Sequence, residues 1–359
     1  MLRIDAGVFA LADSGTLDGL KKALQSAVEL EHSTMPPYLF ARYSLGASLA
    51  NFEIVELLRT IVQEEMHHML LAGNLLKAIG GSPVIDSPEF VPPYPRNLPG
   101  TVATDLVVPL APFSKDIAET VFMRIEQPKH ILEFATREMS ALAPSKTIGE
   151  FYGRIRDVFK AEGEGWIVDT TGATQPSHPG LPPGIKKITS VADALKAIDL
   201  IVEQGEGTES EPIFPDGDTN PSNDQLAHYY KFAEIVKGRL KRNPAAGPAT
   251  PPQERYFYDG SDPVPFVAAE VLPLRTNPKS GHFDAGSPER QAIDAFNLNY
   301  TKVLAQLHAA FNGQPSKIFD AVDSMNQMGV LAANIIGITL PDGTRPGPTF
   351  EYAIEPGTA

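Results

Sequence analysis

The sequence has no cysteine among its 359 residues. This absence excludes disulfide bonds, zinc–thiolate and iron–sulfur centres, and catalysis by a thiol nucleophile. Any metal that the chain binds must therefore be held by nitrogen and oxygen ligands. A chain of this length can bury a stable core, in one elaborated domain or in two smaller ones.

Positive charge is also scarce. The chain has 30 Lys and Arg against 44 Asp and Glu, which gives a formal net charge of -14 at pH 7. Because phosphate binding depends on clustered basic residues and no basic run occurs, we expect no nucleic-acid partner. The first 19 residues contain acids, a single arginine and no long apolar run. They predict neither a signal peptide nor a membrane span, and a cytoplasmic protein is expected.

Long helical patterns alternate along the chain with proline-rich connections, and little of it has the pattern of a sheet. The expected helices cover 16–49, 51–79, 114–127, 128–142, 147–162, 190–204, 222–240, 287–312 and 315–336. Pro36 and Pro37 are expected to kink or restart the first helix, because they lack backbone donors and their rings clash with the preceding turn. The proline-dense segment 82–113 is expected to cross the bundle as extended chain.

A second proline-rich stretch, 241–284, follows the seventh of these helices. It is expected to carry a short strand near 265–271. Its start is a candidate domain boundary. The predicted division is therefore a helical bundle at 1–240 and, at 241–359, a proline-rich segment with a helical hairpin packed on the bundle.

The helix predicted at 51–79 carries a glutamate and a histidine on its apolar stripe. Glu65 and His68 fall among apolar residues spaced three and four apart, whereas Glu64 and His67 fall on the polar face. Glu and His at positions i and i+3 project from one face and can reach a single metal ion. Since a buried carboxylate without a partner is costly, Glu65 predicts a nearby cation or a strong hydrogen-bond network.

The first predicted helix repeats this anomaly. Glu31 falls on its apolar stripe, while Glu29 and His32 are expected to face outward. Two buried carboxylates on adjacent helices repel each other unless a cation or a shared proton lies between them. The pattern favours a metal site, and a buried ion pair or a metal-free hydrogen-bond network is the alternative.

Five strings occur in order within residues 16–240, namely ELEHSTMPPYLFARYS, EEMHHMLLAGNLLKAIGGSP, RIEQP, IVEQGEG and HYYKFAEI. As a set they resemble the ferritin-like domain of the imine-dimer synthases of bacterial bisindole pathways, such as those of violacein and rebeccamycin. The resemblance implies an all-α fold, a ferritin-like four-helix bundle with long proline-rich crossover loops and extra C-terminal helices.

The resemblance also implies metal ligands. Glu31 would be the ligand from the first helix, and Glu65 with His68 would be the bridging carboxylate and its imidazole. Glu126, in the string RIEQP, would be the carboxylate of the third helix. An acid at a helix end is the alternative reading of Glu126.

The second Glu-x-x-His of ferritin-like sites is absent from this sequence. The nearest substitutes are Glu206, or Glu203 one turn earlier, together with His228 at the start of the following helix. Glu206 is favoured because it continues the apolar face of its helix, whereas Glu203 aligns with charged residues. The choice between the two glutamates stays open.

A cluster of carboxylates and imidazoles suits iron or manganese and admits zinc, so one or two iron ions are expected. With the resemblance, this predicts an iron-dependent oxidase, a non-haem oxidoreductase acting on a small amine or imine. No membrane partner is expected, and a homodimer stays open. Two alternatives remain, a non-enzymatic ferritin-like protein that binds metal or a partner, and a metal-free descendant.

Overall fold

Two long helices form the centre of the molecule. The computed structural model describes residues 6–91, 93–97, 106–128, 147–179, 187–206, 226–247, 250–260 and 264–353. The helices are α1 (Ala6–Asp13), α2 (Leu17–Ser44), α3 (Phe52–Ala78), α4 (Lys115–Ile117), α5 (Met123–Ile125), α6 (Ile148–Glu162), α7 (Val191–Glu206), α8 (His228–Lys237), α9 (Pro252–Arg255), α10 (Pro288–Phe311) and α11 (Lys317–Ile336). A π-helical segment, Ala118–Phe122, joins α4 to α5. The chain is mainly helical, as predicted.

The described residues contain one sheet, an antiparallel pair of short strands. Strand β1 (Arg239–Arg242) pairs with β2 (Tyr256–Asp259), with Arg239 opposite Asp259. The helix predicted at 222–240 is therefore too long at its C-terminal end, since Gly238 adopts a φ of 96° and the chain continues as β1. Strand β1 runs across position 240, and the predicted division into two domains stays a prediction.

The strand predicted near 265–271 is wrong. Ala268–Glu270 is a single 3-10 turn, and the neighbouring backbone bonds to the bundle instead of to a strand. The Asn51 side chain bonds both the N–H and the carbonyl of Val267, at 2.8 and 3.1 Å.

The helix predicted at 128–142 lies almost entirely outside the described residues. The crossover predicted at 82–113 has no helix in its described part.

Helix α2 continues through Pro36 and Pro37 instead of restarting there. Thr16 caps its start by accepting from the N–H of Gly19 at 3.1 Å. A proline at position 37 cannot donate to the carbonyl of Ser33, four residues earlier. The hydroxyl of Tyr94, from the crossover, donates to that carbonyl at 2.8 Å. The crossover thus replaces a missing helical bond, and this is one reason why the helix tolerates its prolines.

Replacing Tyr94 with phenylalanine should destabilise the fold. The Ser33 carbonyl would be left buried without a donor, which costs about 1 to 3 kcal/mol of unfolding free energy. Urea denaturation measures this loss. Tyr43→Phe is the matched control, because Tyr43 is also buried and its hydroxyl has no hydrogen bond to any described residue. Equal losses in the two variants would show that the Tyr94 bond does not support α2.

Helices α10 and α11 pack against each other as a hairpin and cover the outer side of α2 and α3. Gly73 permits this close approach, because a Cβ there would lie 2.4 Å from the ring of Phe311. His32, which was expected to face outward, is buried, and its Nε2 lies 2.6 Å from the hydroxyl of Tyr300. That expectation fails because α10 covers a face that would be exposed in an isolated helix pair.

None of the helices in the described part of the chain is long and apolar enough to cross a membrane.

Candidate metal centre

Five of the six predicted ligands meet inside the bundle. Glu31 comes from α2, Glu65 and His68 from α3, Glu126 directly follows α5, and His228 opens α8. All five are buried, with at most 4% of any residue exposed. The sixth predicted ligand, Glu206, is the last residue of α7, and its side chain lies outside the described part of the structure.

The first ligand group consists of Glu31, Glu65 and His68. One ligand atom from each lies within 4.8 Å of the other two. The Nδ1 atom of His68 is 3.6 Å from Glu31 Oε2 and 3.7 Å from Glu65 Oε1. These separations exceed hydrogen-bond length, and they leave space for an ion among the three atoms.

The second ligand group consists of Glu65, Glu126 and His228, whose ligand atoms also lie within 4.8 Å of one another. The Nδ1 atom of His228 is 2.9 Å from Glu65 Oε1 and 3.5 Å from Glu126 Oε2. Glu65 belongs to both groups, and the rings of His68 and His228 stack with centroids 5.7 Å apart. The arrangement is that of two adjacent ion sites sharing one carboxylate.

Both imidazoles turn Nδ1 toward the carboxylates and Nε2 toward an outer oxygen. His68 Nε2 lies 2.8 Å from Oε1 of Gln204 on α7, and His228 Nε2 lies 2.9 Å from Glu64 Oε2. Lys231 binds the same Glu64 oxygen at 2.6 Å. An outer acceptor on one ring nitrogen holds the other nitrogen as a metal ligand, as is usual around metal-bound histidines.

Two tyrosines hold the terminal carboxylates. The Tyr152 hydroxyl donates to Glu31 Oε1 at 2.6 Å, and the Tyr38 hydroxyl donates to Glu126 Oε1. Burial raises the pKa of both phenols well above the usual value. The charge of Glu126 adds to this effect for Tyr38, and the charge of Glu31 adds to it for Tyr152. Both hydroxyls therefore stay protonated and act as donors.

The pKa shifts in the cluster show how strongly its carboxylates repel one another. Burial and the charge of Glu126 raise the pKa of Glu65 to about 7, although Thr34 donates to its Oε2 at 2.8 Å. Burial disfavours charge on His228, but the nearby carboxylates of Glu126 and Glu64 outweigh it and raise its pKa well above the usual value. The cluster therefore demands positive charge, from protons or from a metal.

The surroundings of the His228 Nδ1 atom show whether a cation fits the site. It is buried, and no described group is aligned to hydrogen-bond with it, although Glu65 Oε1 lies only 2.9 Å away. An imidazole nitrogen aimed between two carboxylates without hydrogen-bond alignment is placed as in a metal ligand set. Three carboxylates and two imidazoles are also donors that iron and manganese accept. The residues present fit a metal pair.

Some of the surroundings were not predicted from the sequence. Glu64 was expected on a solvated face, but it is only 18% exposed in its side chain and pairs with His228 and Lys231. Burial opposes the charge on Glu64, yet these two partners lower its pKa to about 2. Gln204 and Tyr152 were missed. Only the His228-x-x-Lys231 spacing, which places both residues on one face of α8, was a local signal.

The comparisons with known proteins agree with this architecture. A family model described as ferritin-like matches residues 24–237, and the chain belongs to the ferritin-like family. This confirms the predicted all-α fold and the family resemblance. A crystal structure of a ferritin-like protein from Caulobacter vibrioides is similar, with a TM-score of 0.56 and 21% identity, over 93% of this chain and 97% of that one. At this identity the likeness shows the fold alone.

The chain is also 25% identical to a dichlorochromopyrrolate synthase of Lentzea aerocolonigenes, over an alignment of 404 positions. The match covers 95% of this chain and 36% of the synthase. The chain thus spans about a third of the length of this curated relative. Ferritin-like proteins commonly build di-iron sites from inward carboxylates and histidines on their bundle helices.

Proposed function

We propose that the chain is an iron-dependent oxidase in which two ions share Glu65 and which acts on a small amine or imine. The observation that carries the proposal is the pair of buried three-ligand groups. Three protein ligands per ion leave coordination positions open for oxygen and substrate. The similarity to a synthase supports an enzyme over a storage protein.

Iron held by Glu31, Glu65, His68, Glu126 and His228 would supply redox chemistry with dioxygen. The chain's own residues prepare the site. Tyr152 and Tyr38 fix the terminal carboxylates, and the buried setting excludes bulk water. An excluded-water setting strengthens every charge interaction inside it.

Helix α7 contacts the cluster through Gln204 and its own backbone. Where a second Glu-x-x-His would be expected, the described part of α7 offers Gln204 and Gly205. A Cβ at Gly205 would lie 3.8 Å from Glu126 Oε2, so the backbone of α7 passes close to this carboxylate without a side chain between them.

Elemental analysis tests the metal. Protein produced with iron should hold about two ions per chain, and Glu31→Gln should hold about one, because Glu31 belongs to only one ligand group. Glu29→Gln is the matched control. Glu29 lies on the same helix but accepts from Gln25 at 3.0 Å, outside the cluster. This control should keep the full content.

Oxygen uptake tests the reaction class. Anaerobically loaded ferrous protein should consume dissolved oxygen on mixing, and Glu31→Gln should do so more slowly. Metal content well below one ion per chain, with no gain on reconstitution, would reject the metal centre and favour the metal-free descendant. A full metal content without oxygen uptake would reject the oxidase and leave a non-enzymatic metal-binding protein.

A further inference from the structure

A second cavity lies on the other side of the central helices. It has a volume of about 500 Å³ and is bounded by α2 and α3 on one side and by α10 and α11 on the other. Small-molecule sites commonly have volumes of several hundred Å³. His32 and His67 line this cavity, whereas Glu31 and His68, next to them in the chain, belong to the metal centre. The two helices therefore separate the cavity from the candidate metal centre.

Three nitrogen atoms of the lining lack partners. The Nε of Arg42, the Nδ1 of His32 and the Nδ1 of His67 are buried without a hydrogen bond to any described residue. Buried polar atoms are normally paired, and each exception needs a physical explanation. The residues that carry these atoms are among the basic residues of the cavity lining.

The two arginines of the cavity differ in their pairing. Arg59 is neutralised, since its Nε binds Glu56 at 2.8 Å and its Nη1 binds Gln63 at 2.8 Å. No described carboxylate pairs with Arg42. A half-buried guanidinium with no counter-charge matches the flat, two-oxygen edge of an acid group.

The remainder of the lining is largely apolar. Its apolar residues include five methionines, Met35, Met66, Met69, Met325 and Met328. Methionine side chains are flexible and polarisable, so they adapt to flat aromatic or aliphatic bodies. The surface therefore suits a ligand whose bulk is apolar and whose charge lies at one end.

We propose that this cavity is a second ligand site, which binds an organic anion with an aromatic or aliphatic body and pairs its acid group with Arg42. The site is independent of the metal centre. It gives the chain a place to hold a small acid apart from the cluster.

Two dyes of matched shape test the proposal. The anion 1-anilinonaphthalene-8-sulfonate should bind saturably, at about one per chain, with a rise in fluorescence. Arg42→Met should weaken this binding about tenfold or more, because a charge-assisted pair is lost. The uncharged analogue N-phenyl-1-naphthylamine should bind the wild type and Arg42→Met equally. Arg59→Met is the control, and it should change the affinity for either dye little.

A variant that fills the cavity provides a second test. Gly329 on α11 lines the cavity, and a Cβ there meets no described atom within 4 Å. Gly329→Leu should keep the helix, since leucine is the better helix former, and should reduce the binding of both dyes. The proposal is overturned if the wild type shows no saturable binding, if Arg42→Met and Arg59→Met weaken the sulfonate equally, or if folded Gly329→Leu binds as the wild type does.

Discussion

Glu65→Gln protein is expected to hold only a trace of iron, while the Glu31→Gln protein keeps one of its two ions. The reason is geometric. Glu65 Oε1 lies 3.7 Å from the Nδ1 of His68 and 2.9 Å from the Nδ1 of His228, so it serves both ligand groups. An amide provides a neutral and much weaker ligand than a carboxylate, and both groups lose their shared charge.

The loss should not come from unfolding. In the metal-free protein Glu65 is a buried acid between Glu126 and Glu31, and burial with these charges raises its pKa to about 7. Glutamine removes the repulsion, and its carbonyl can still accept from Thr34, which donates to Glu65 at 2.8 Å. At pH 8 without metal, we therefore expect the variant to be at least as stable as the wild type.

Thermal melts with and without metal distinguish a loss of metal binding from a loss of folding stability. A metal at about a thousand times its dissociation constant stabilises the folded wild type by about 4 kcal/mol, and Glu65→Gln should gain nothing. Glu56→Gln, on the outer face of α3 beside Arg59, should respond as the wild type does. A metal-free Glu65→Gln protein that melts far below the wild type would instead mean that Glu65 is a structural acceptor in a metal-free network.

Local helical geometry explains which ligands the sequence could predict. Glu31, Glu65 and His68 each lie on a stripe of apolar residues, and on a regular helix the spacing alone decides which face a residue shares. The start of α6 is equally local, because Thr147 and Glu150 form a capping box, and the Thr-x-x-Glu spacing of such a box is visible in the sequence. Such features need no knowledge of the rest of the chain.

Long-range partners explain what the sequence could not predict. Tyr152 meets Glu31 across 121 positions, and Gln204 meets His68 across 136. No periodicity within one helix reports such a pairing. Glu126 and His228 were predicted from the family resemblance and not from their spacing, since each lies at a helix end, where a face is poorly defined.

The errors on α2 and α3 share one physical cause. The hydrophobic stripe identifies one buried face, but both helices are covered on more than one side. His32 is buried by the C-terminal hairpin, and Glu64 is covered by α8 through Lys231. A polar residue opposite the main stripe is therefore exposed only where no other element packs on it, and the position of α8 and α10 is a property of the whole fold.

The pH dependence of stability should reverse when metal binds. In the metal-free protein, burial disfavours charge on both histidines, but the nearby carboxylates outweigh it. Glu126 and Glu64 raise the pKa of His228 well above its usual value, and Glu31 and Glu65 raise the pKa of His68. The folded protein then binds more protons than the unfolded chain above about pH 6.5, the ordinary pKa of histidine. This stabilisation is complete below that pH and is lost as the pH rises through the folded-state pKa values.

The other groups with shifted pKa values do not reverse this loss of stability above pH 6.5. The pKa of Glu65 is raised to about 7, so its contribution to stability is also lost as the pH rises, and most of that loss occurs below pH 7. His32 and His67 have pKa values lowered to about 3 and about 4, first by burial. Their contributions are lost as the pH falls below about 6.5, so they act only below that pH.

Metal-free protein should therefore lose stability as the pH rises above about 6.5, by at most about 1.4 kcal/mol per pH unit for each proton involved. Metal binding needs neutral imidazoles and ionised carboxylates, so the same rise in pH strengthens it. Calorimetry with chelator and with manganese, which avoids the oxidation of ferrous iron, should give slopes of opposite sign. His308→Gln, which changes an imidazole outside the cluster, should leave both slopes intact. A proton-sharing network without metal predicts one falling slope under both conditions, because the protons on His68 and His228 would then be the cations that hold the three acids together.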